Sequence, residues 1–176
     1  MTKPRIILDQ DDVLADTHGK LARIVHQEFG LNLPDDIFIH QPFEQVLSSD
    51  DQKRLYKIIH TPGFFIDIPV VSDAQESVAA LSERYDIFVG TAAMEFPNSF
   101  REKYDWLQAN FPFIHWKNIV FCGDKSILYA DYLIDDMPRN LKTFKGKGLL
   151  FNAAHNLQET AFERVMNWKE IVQRLL

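Results

Sequence analysis

Along this chain, short apolar runs that stop abruptly at polar residues alternate with segments whose apolar residues fall at helical spacing. Ile6-Ile7-Leu8 runs straight into Asp9-Gln10-Asp11-Asp12, as a parallel strand buried on both faces does where it leaves its sheet. Leu21, Ile24, Val25 and Phe29 then fall at i, i+3, i+4 and i+8, and Gly30 supplies a stop, predicting a helix over about 17–29. Further strands are predicted at 85–91, 119–122, 132–134 and 148–151. Asp73 with Glu76 resembles a capping box, with Val78 and Leu81 as the buried stripe behind it. Pro97 opens a helix with Phe100, Tyr104 and Leu107 on one face, and another covers about 138–144. Thr160 with Glu163 and Asn167 with Glu170 both look like helix starts, and the second is preferred, giving a last helix over Trp168–Leu175. Such alternation predicts an α/β fold, a parallel sheet with helices on both faces.

Residues 31–72 break this rhythm. Pro34, Pro42, Pro62 and Pro69 interrupt them, while Leu55, Ile58 and Ile59 predict a short helix from near Ser49, so the stretch reads as a helical insertion. A chain of 176 residues, 46% hydrophobic and with only 15 glycines and prolines together, is the size and composition of one globular domain. Its longest apolar runs are four residues, against the roughly 20 that span a bilayer, and the N-terminus offers no apolar stretch for a secretory signal. A cytoplasmic chain with no membrane partner is expected. The net charge of −6 and the absence of a basic block argue against polymeric nucleic acid, though one cation and one lysine could still hold a small phosphorylated molecule. Cys122 stands alone, which excludes a disulfide framework and a multi-cysteine zinc site.

Ligands of open parallel sheets bind at the carboxyl ends of the strands. Four places qualify: Asp9 with Asp11, Thr91, the region around Lys125, and Asp135-Asp136. Strand alternation would set Asp9 and Asp11 on one side about 6–7 Å apart, with Gln10 facing elsewhere. Carboxylates gathered in one volume repel unless a cation sits among them, and hard oxygen donors suit magnesium, which also recruits phosphate. The Thr91 hydroxyl and nearby amides could then hold phosphate oxygens while Lys125 neutralises charge.

In their order and surroundings, Asp9-Gln10-Asp11-Asp12-Val13-Leu14-Ala15-Asp16, Thr91, Lys125 and Asp135-Asp136 resemble the four motifs of the haloacid dehalogenase superfamily of phosphatases. The segments Pro62 to Asp67, Lys103-Tyr104-Asp105-Trp106, Gly123 to Asp136 and Phe151 to Asn156 are similar to its 5′(3′)-deoxyribonucleotidase branch. The resemblance implies a Rossmann-like core, residues 1–16 and 73–176, with a small helical cap over 17–72. It makes Asp9 the nucleophile, Asp11 the general acid and base, Thr91 a phosphate holder and Lys125 the charge clamp. Magnesium would be held by Asp9, Asp11 through its carbonyl, and Asp136, with Asp135 behind them. The substrate it implies is a small phosphate ester, a nucleotide, and a homodimer is left open. Three positions depart from the family pattern: Asp12 replaces a glycine outside the chemistry, Ala92 a serine that would offer the phosphate a hydroxyl, and Thr17 an aromatic that would stack on the nucleoside.

Each feature also has a plainer reading. An isolated Asp-x-Asp is usually a solvated turn, and a lone lysine is usually on the surface. Phe64 and Phe65 read first as packing, with Phe64 also a candidate substrate contact. The six histidines have no ligand spacing and read as structural or surface residues, and Cys122 reads as a buried small hydrophobe. A phospho-acceptor receiver gathers similar residues but places its lysine last, whereas Lys125 precedes Asp135. A phosphatase of the same superfamily acting on another small ester, or a non-catalytic phosphate-binding protein on the same scaffold, would share the fold.

Overall fold

A computed structural model describes residues 2–31 and 46–176. Six parallel strands, β1 (Arg5–Leu8), β2 (Asp86–Thr91), β3 (Ile119–Phe121), β4 (Tyr132–Asp135), β5 (Lys147–Phe151) and β6 (Arg164–Val165), form one sheet in the order β3-β2-β1-β4-β5-β6. The helices among the described residues are α1 (Thr17–Phe29), α2 (Ser49–Ile59), α3 (Ala74–Ser82), α4 (Ser99–Asn110), α5 (Pro138–Thr143) and α6 (Trp168–Leu175). None of them is long and apolar enough to cross a membrane. This is the expected α/β architecture, with β1 and β4 adjacent at its centre.

Strand alternation divides the core. Ile6, Leu8, Ile87, Val89, Ile134 and Leu149 face Val78 and Leu81 of α3, Trp106 and Leu107 of α4, and Trp168 and Ile171 of α6. The opposite face, Ile7, Leu133 and Leu150, is covered by Leu141 of α5 and by Phe144. Each such aliphatic side chain contributes roughly 1.5–3 kcal/mol on burial. The fully buried Trp168 also donates from Nε1 to the Val13 carbonyl at 2.9 Å, fixing the turn after β1. A smaller cluster, Val25, Leu47 and Leu55, joins α1 to α2. Ser48 caps α2 by accepting from the Asp51 amide at 3.2 Å, and Gly30, at φ 67°, closes α1 in the left-handed conformation that glycine takes without cost. Pro34 and Pro42 of the expected insertion lie outside the described residues.

Several expectations need correction. Asp73 precedes α3, but its backbone is left-handed (φ 63°) and its carboxylate pairs with Lys169 at 3.3 Å instead of capping the helix. As preferred, the last helix is capped by Asn167 and not by Thr160, but the chain before it adds the unexpected two-residue strand β6, too short for any periodicity. The buried stripe of α4 is Ser99, Glu102, Lys103, Trp106 and Leu107, not Phe100 and Tyr104, because two charged residues in it find partners of their own. Cys122 follows β3 and is half-buried, its thiol pushed up by that partial burial.

Candidate active site

The strand ends of β1 and β4 are locked together, since the Asp9 amide donates to the Ile134 carbonyl at 2.9 Å. Asp9 therefore sits beside Asp135 and Asp136, and the three offer carboxylate oxygens within 4.8 Å of one another. Lys125, held on a 3₁₀ turn whose preceding Asp124 accepts from the Ser126 amide, is buried with Nζ 2.7 Å from Asp9 and 2.6 Å from Asp135. Asp135 has no exposure and spends its oxygens on Lys125, the Met137 amide and Asn140, which leaves Asp9 and Asp136 as the carboxylates with capacity to spare.

A second group lies beside the first. Asp11 accepts from the Thr17 hydroxyl at 2.8 Å and from the ammonium of Lys103, which also donates to the Thr91 hydroxyl at 3.2 Å. Lys103 stands 5.2 Å over the Phe65 ring. Its neighbour in sequence, Glu102, accepts from the Gly63 amide at 2.5 Å and the Phe65 amide at 2.9 Å, so one turn of α4 grips both Asp11 and the Pro62–Phe65 segment. Gly63, at φ 100°, permits that turn.

A third group completes the surround of Asp136. His155 Nε2 lies 2.9 Å from its carboxylate, and Asp12, Asp136 and His155 also fall within 4.8 Å of one another. Asp12, given no part in the chemistry from the sequence, thus lies next to Asp136 and His155. Its backbone is left-handed, φ 55°, which Asp tolerates better than most residues where the family pattern has glycine. Likewise His155 is no isolated surface histidine.

Electrostatics follow from this crowding. Burial pushes the Asp9 carboxyl well above its ordinary range, Lys125 opposes the shift, and Asp135, Asp136 and Asp11 reinforce it. Burial raises Asp136 too, against the hydrogen bond from His155, and burial with Asp136 pushes Asp12 up to about 7. Burial would also raise Asp11, but Lys103 and Thr17 outweigh it and hold the carboxyl below its usual value. For Lys125, burial is overcome by Asp9 and Asp135, which hold the ammonium charged. Among the described residues, five aspartates face two lysines and His155, and the donors around Asp9 and Asp136 are mostly hard oxygens. That donor set fits a hard divalent cation.

Of the residues singled out in the sequence, Asp9, Asp135, Asp136 and Lys125 converge directly, and Asp11, Thr17 and Thr91 meet through Lys103. Gln10 faces α4, its amide 3.4 Å from the Lys103 carbonyl. Ala92 is half-buried just after Thr91. Phe64 is buried, under the Lys20 ammonium at 4.7 Å and edge-on to Phe65 at 4.8 Å, which is the packing arrangement. Sequence reasoning assigned no role to Lys103, Glu102, His155, Asn156 or Arg164. For Lys103 the signal lay in the Lys103-Tyr104-Asp105-Trp106 segment that resembles the deoxyribonucleotidase branch, not in helical periodicity, since its stripe also holds Ser99 and Glu102.

The family described as 5′ nucleotidase, deoxy (pyrimidine), cytosolic type C protein matches residues 3–176. A Staphylococcus epidermidis protein provisionally named 5′(3′)-deoxyribonucleotidase is 42% identical over 171 residues, 97% of this chain and 95% of its own. The 5′(3′)-deoxyribonucleotidase of Bacillus subtilis strain 168 is 36% identical over 180 residues, covering 99% of each chain. In fold, the chain is similar to a haloacid dehalogenase-like family hydrolase from Streptococcus pneumoniae, with TM-score 0.64 and 13% identity over 99% of both chains.

Proposed function

We propose, from the premise that this chain belongs to the cytosolic type C family of deoxy (pyrimidine) 5′ nucleotidases and is a phosphoric monoester hydrolase, that it dephosphorylates deoxyribonucleoside 5′(3′)-monophosphates through a phosphorylated Asp9. The observation that supports this reading most is the pairing of two aspartates with two different lysines. Lys125, 2.7 Å from Asp9, supplies the positive charge that favours the anion a nucleophile needs against the opposing effect of burial, while Asp11 is held separately by Lys103 and Thr17.

In this reading Asp9 Oδ attacks phosphorus in line, the bond to the ester oxygen breaks, and Asp11 gives that oxygen its proton. Asp11 then takes a proton from water, whose oxygen attacks the aspartyl-phosphate and returns the Asp9 carboxylate and inorganic phosphate. Thr91 and Lys103 hold phosphoryl oxygens, and drawing the Lys103 ammonium toward them frees Asp11 to carry a proton. Asp9, the Asp11 carbonyl and Asp136 would hold magnesium, with Asp135 and Lys125 fixing Asp9 from behind. Bound there, the ion supplies charge neutralisation at the phosphoryl oxygens. The cap of this reading includes the described residues 17–31 and 46–72, with Thr17 on Asp11 and Pro62–Phe65 held by Glu102 of α4.

The test is a screen of purified protein with magnesium, and with chelator, over deoxynucleoside and ribonucleoside 5′- and 3′-monophosphates, sugar phosphates and a chromogenic ester. Magnesium-dependent release that is fastest from deoxynucleotides is expected. Faster release from a sugar phosphate moves the substrate to another small ester, and activity that survives chelation removes the metal from the reading.

A further inference from the structure

Asp136, the residue after β4, is held by more than that strand. The Asn156 side chain donates to the Asp136 carbonyl at 2.8 Å and to the Phe151 carbonyl at 2.8 Å, while its oxygen accepts from the Ala153 amide at 3.2 Å and from Arg164 at 2.6 Å. Every hydrogen-bonding position of this buried amide is therefore used. Arg164, on β6, directs four donations at the same loop: to the Asn152 and Asn156 side chains at 3.0 and 2.6 Å, and to the Asn156 and Glu159 carbonyls at 2.7 and 2.8 Å. Spending a guanidinium on amide and backbone oxygens gives little Coulomb energy but fixes the loop in one geometry. The neighbouring residue of that loop, His155, reaches the Asp136 carboxylate itself. One 3₁₀ turn, Ala154–Asn156, thus grips Asp136 at both its backbone and its side chain.

We infer that Arg164, Asn156 and His155 are positioning residues that orient Asp136 for the divalent cation, with Arg164 acting through Asn156. The inference rests on the metal reading proposed above and adds to it: Arg164 and Asn156 are spent on the loop and on the Asp136 backbone, and His155 spends Nε2 on the Asp136 carboxylate. Partners behind metal ligands set ligand orientation, and losing one typically weakens metal affinity about 10- to 100-fold. β6 is two residues long and sits at the sheet edge, yet it would set the affinity of a centre whose ligands come from β1 and β4.

Calorimetric titration of the full chain with Mg2+, and with Mn2+ followed by its free-ion paramagnetic signal, tests this alongside thermal melting. Arg164→Met and Asn156→Leu should each weaken both ions about 10- to 100-fold, and His155→Ala, which keeps the backbone grip, by about tenfold. A merely structural loop would lower the melting temperature and leave metal affinity within twofold of wild type, which would overturn the inference. Arg164 is only half-buried, so Arg164→Met decides the matter if Asn156→Leu does not fold. A wild-type chain that binds neither ion sinks the metal reading itself, whereas tight wild-type binding with unchanged variants sinks only the positioning role.

Discussion

Lys125 reaches its carboxylates from a turn at the strand ends, whereas Lys103 reaches its own from the middle of a helix. Lys125 sits between two aspartates on neighbouring strands, 2.7 and 2.6 Å away. Lys103 has one aspartate and one hydroxyl. The first cation is outnumbered and cannot leave without exposing two buried carboxylates to each other. The second forms a neutral pair with a group that is a third exposed, and a phosphate dianion could compete for it. Similar side chains, both buried, are thus built for different duties: one fixes charge, the other can share it.

The largest effect should come from Asp9→Asn, which keeps the shape but removes both the phosphoryl acceptor and the charge that Lys125 answers. Turnover should fall to background with the fold intact by circular dichroism. Activity within about tenfold of wild type, ~1.4 kcal/mol, would end the nucleophile assignment.

Lys125→Met comes next. Removing one partner of a buried ion pair costs about 3–5 kcal/mol, and losing a preorganised positive group costs about 10²–10³ in kcat, so denaturant melts and assays should both fall steeply. Lys103→Met should cost about 10² in kcat but less stability, since Asp11 keeps Thr17 and partial hydration. Equal losses of stability in the two variants would erase the distinction between them.

The pH dependence sharpens the same point. Asp11 is held below its ordinary range in the folded chain, so it stabilises the fold above the usual carboxylate pKa of ~3.9 and that contribution disappears as pH falls through the lower folded value. In Lys103→Met the opposing burial is left standing, the Asp11 carboxyl rises, and the acid limb of stability and of kcat should move to higher pH. A limb that does not move would mean Lys103 does not govern Asp11.

The smallest effect is expected at Thr17. Because its hydroxyl holds Asp11 at 2.8 Å, Thr17→Val should lower kcat by less than about tenfold, on the order of 1 kcal/mol. Thr17→Phe loses the same bond but adds a stacking face worth about 1–3 kcal/mol. Its kcat/KM ratio for deoxynucleotide over ribose 5-phosphate, in which the Asp11 effect cancels, should therefore widen from a small wild-type preference. An unchanged ratio would place Thr17 away from the base.

Legibility followed the same division. Asp9, Thr91, Lys125 and Asp135-Asp136 could be found because each follows an apolar run, and strand ends converge in a parallel sheet. The central strands and the last helix, Trp168–Leu175, were likewise readable from apolar runs and from Asn167, whose side chain accepts from the Glu170 amide at 3.0 Å. Lys103 and Glu102 were not, because helical periodicity marks which side faces inward only while that side is apolar. The face of α4 was drawn through Phe100 and Tyr104 for that reason. Asp73 failed as a cap because a spacing of three residues does not reveal a left-handed backbone. His155, Asn156 and Arg164 work through a loop and a two-residue strand, where no period exists to be read.

The bond from the Asp9 amide to the Ile134 carbonyl joins residues 125 positions apart, and it bears on how the protein comes into being. Closing so long a loop is among the slower events of folding. A nascent chain whose β4 has not left the ribosome has Asp9 but neither Asp135 nor Asp136, and no truncated product ending before that strand can acquire them. Phosphatase activity during synthesis should therefore begin only after the middle of the sheet has closed, which makes enzymatic turnover a clock for that one pairing.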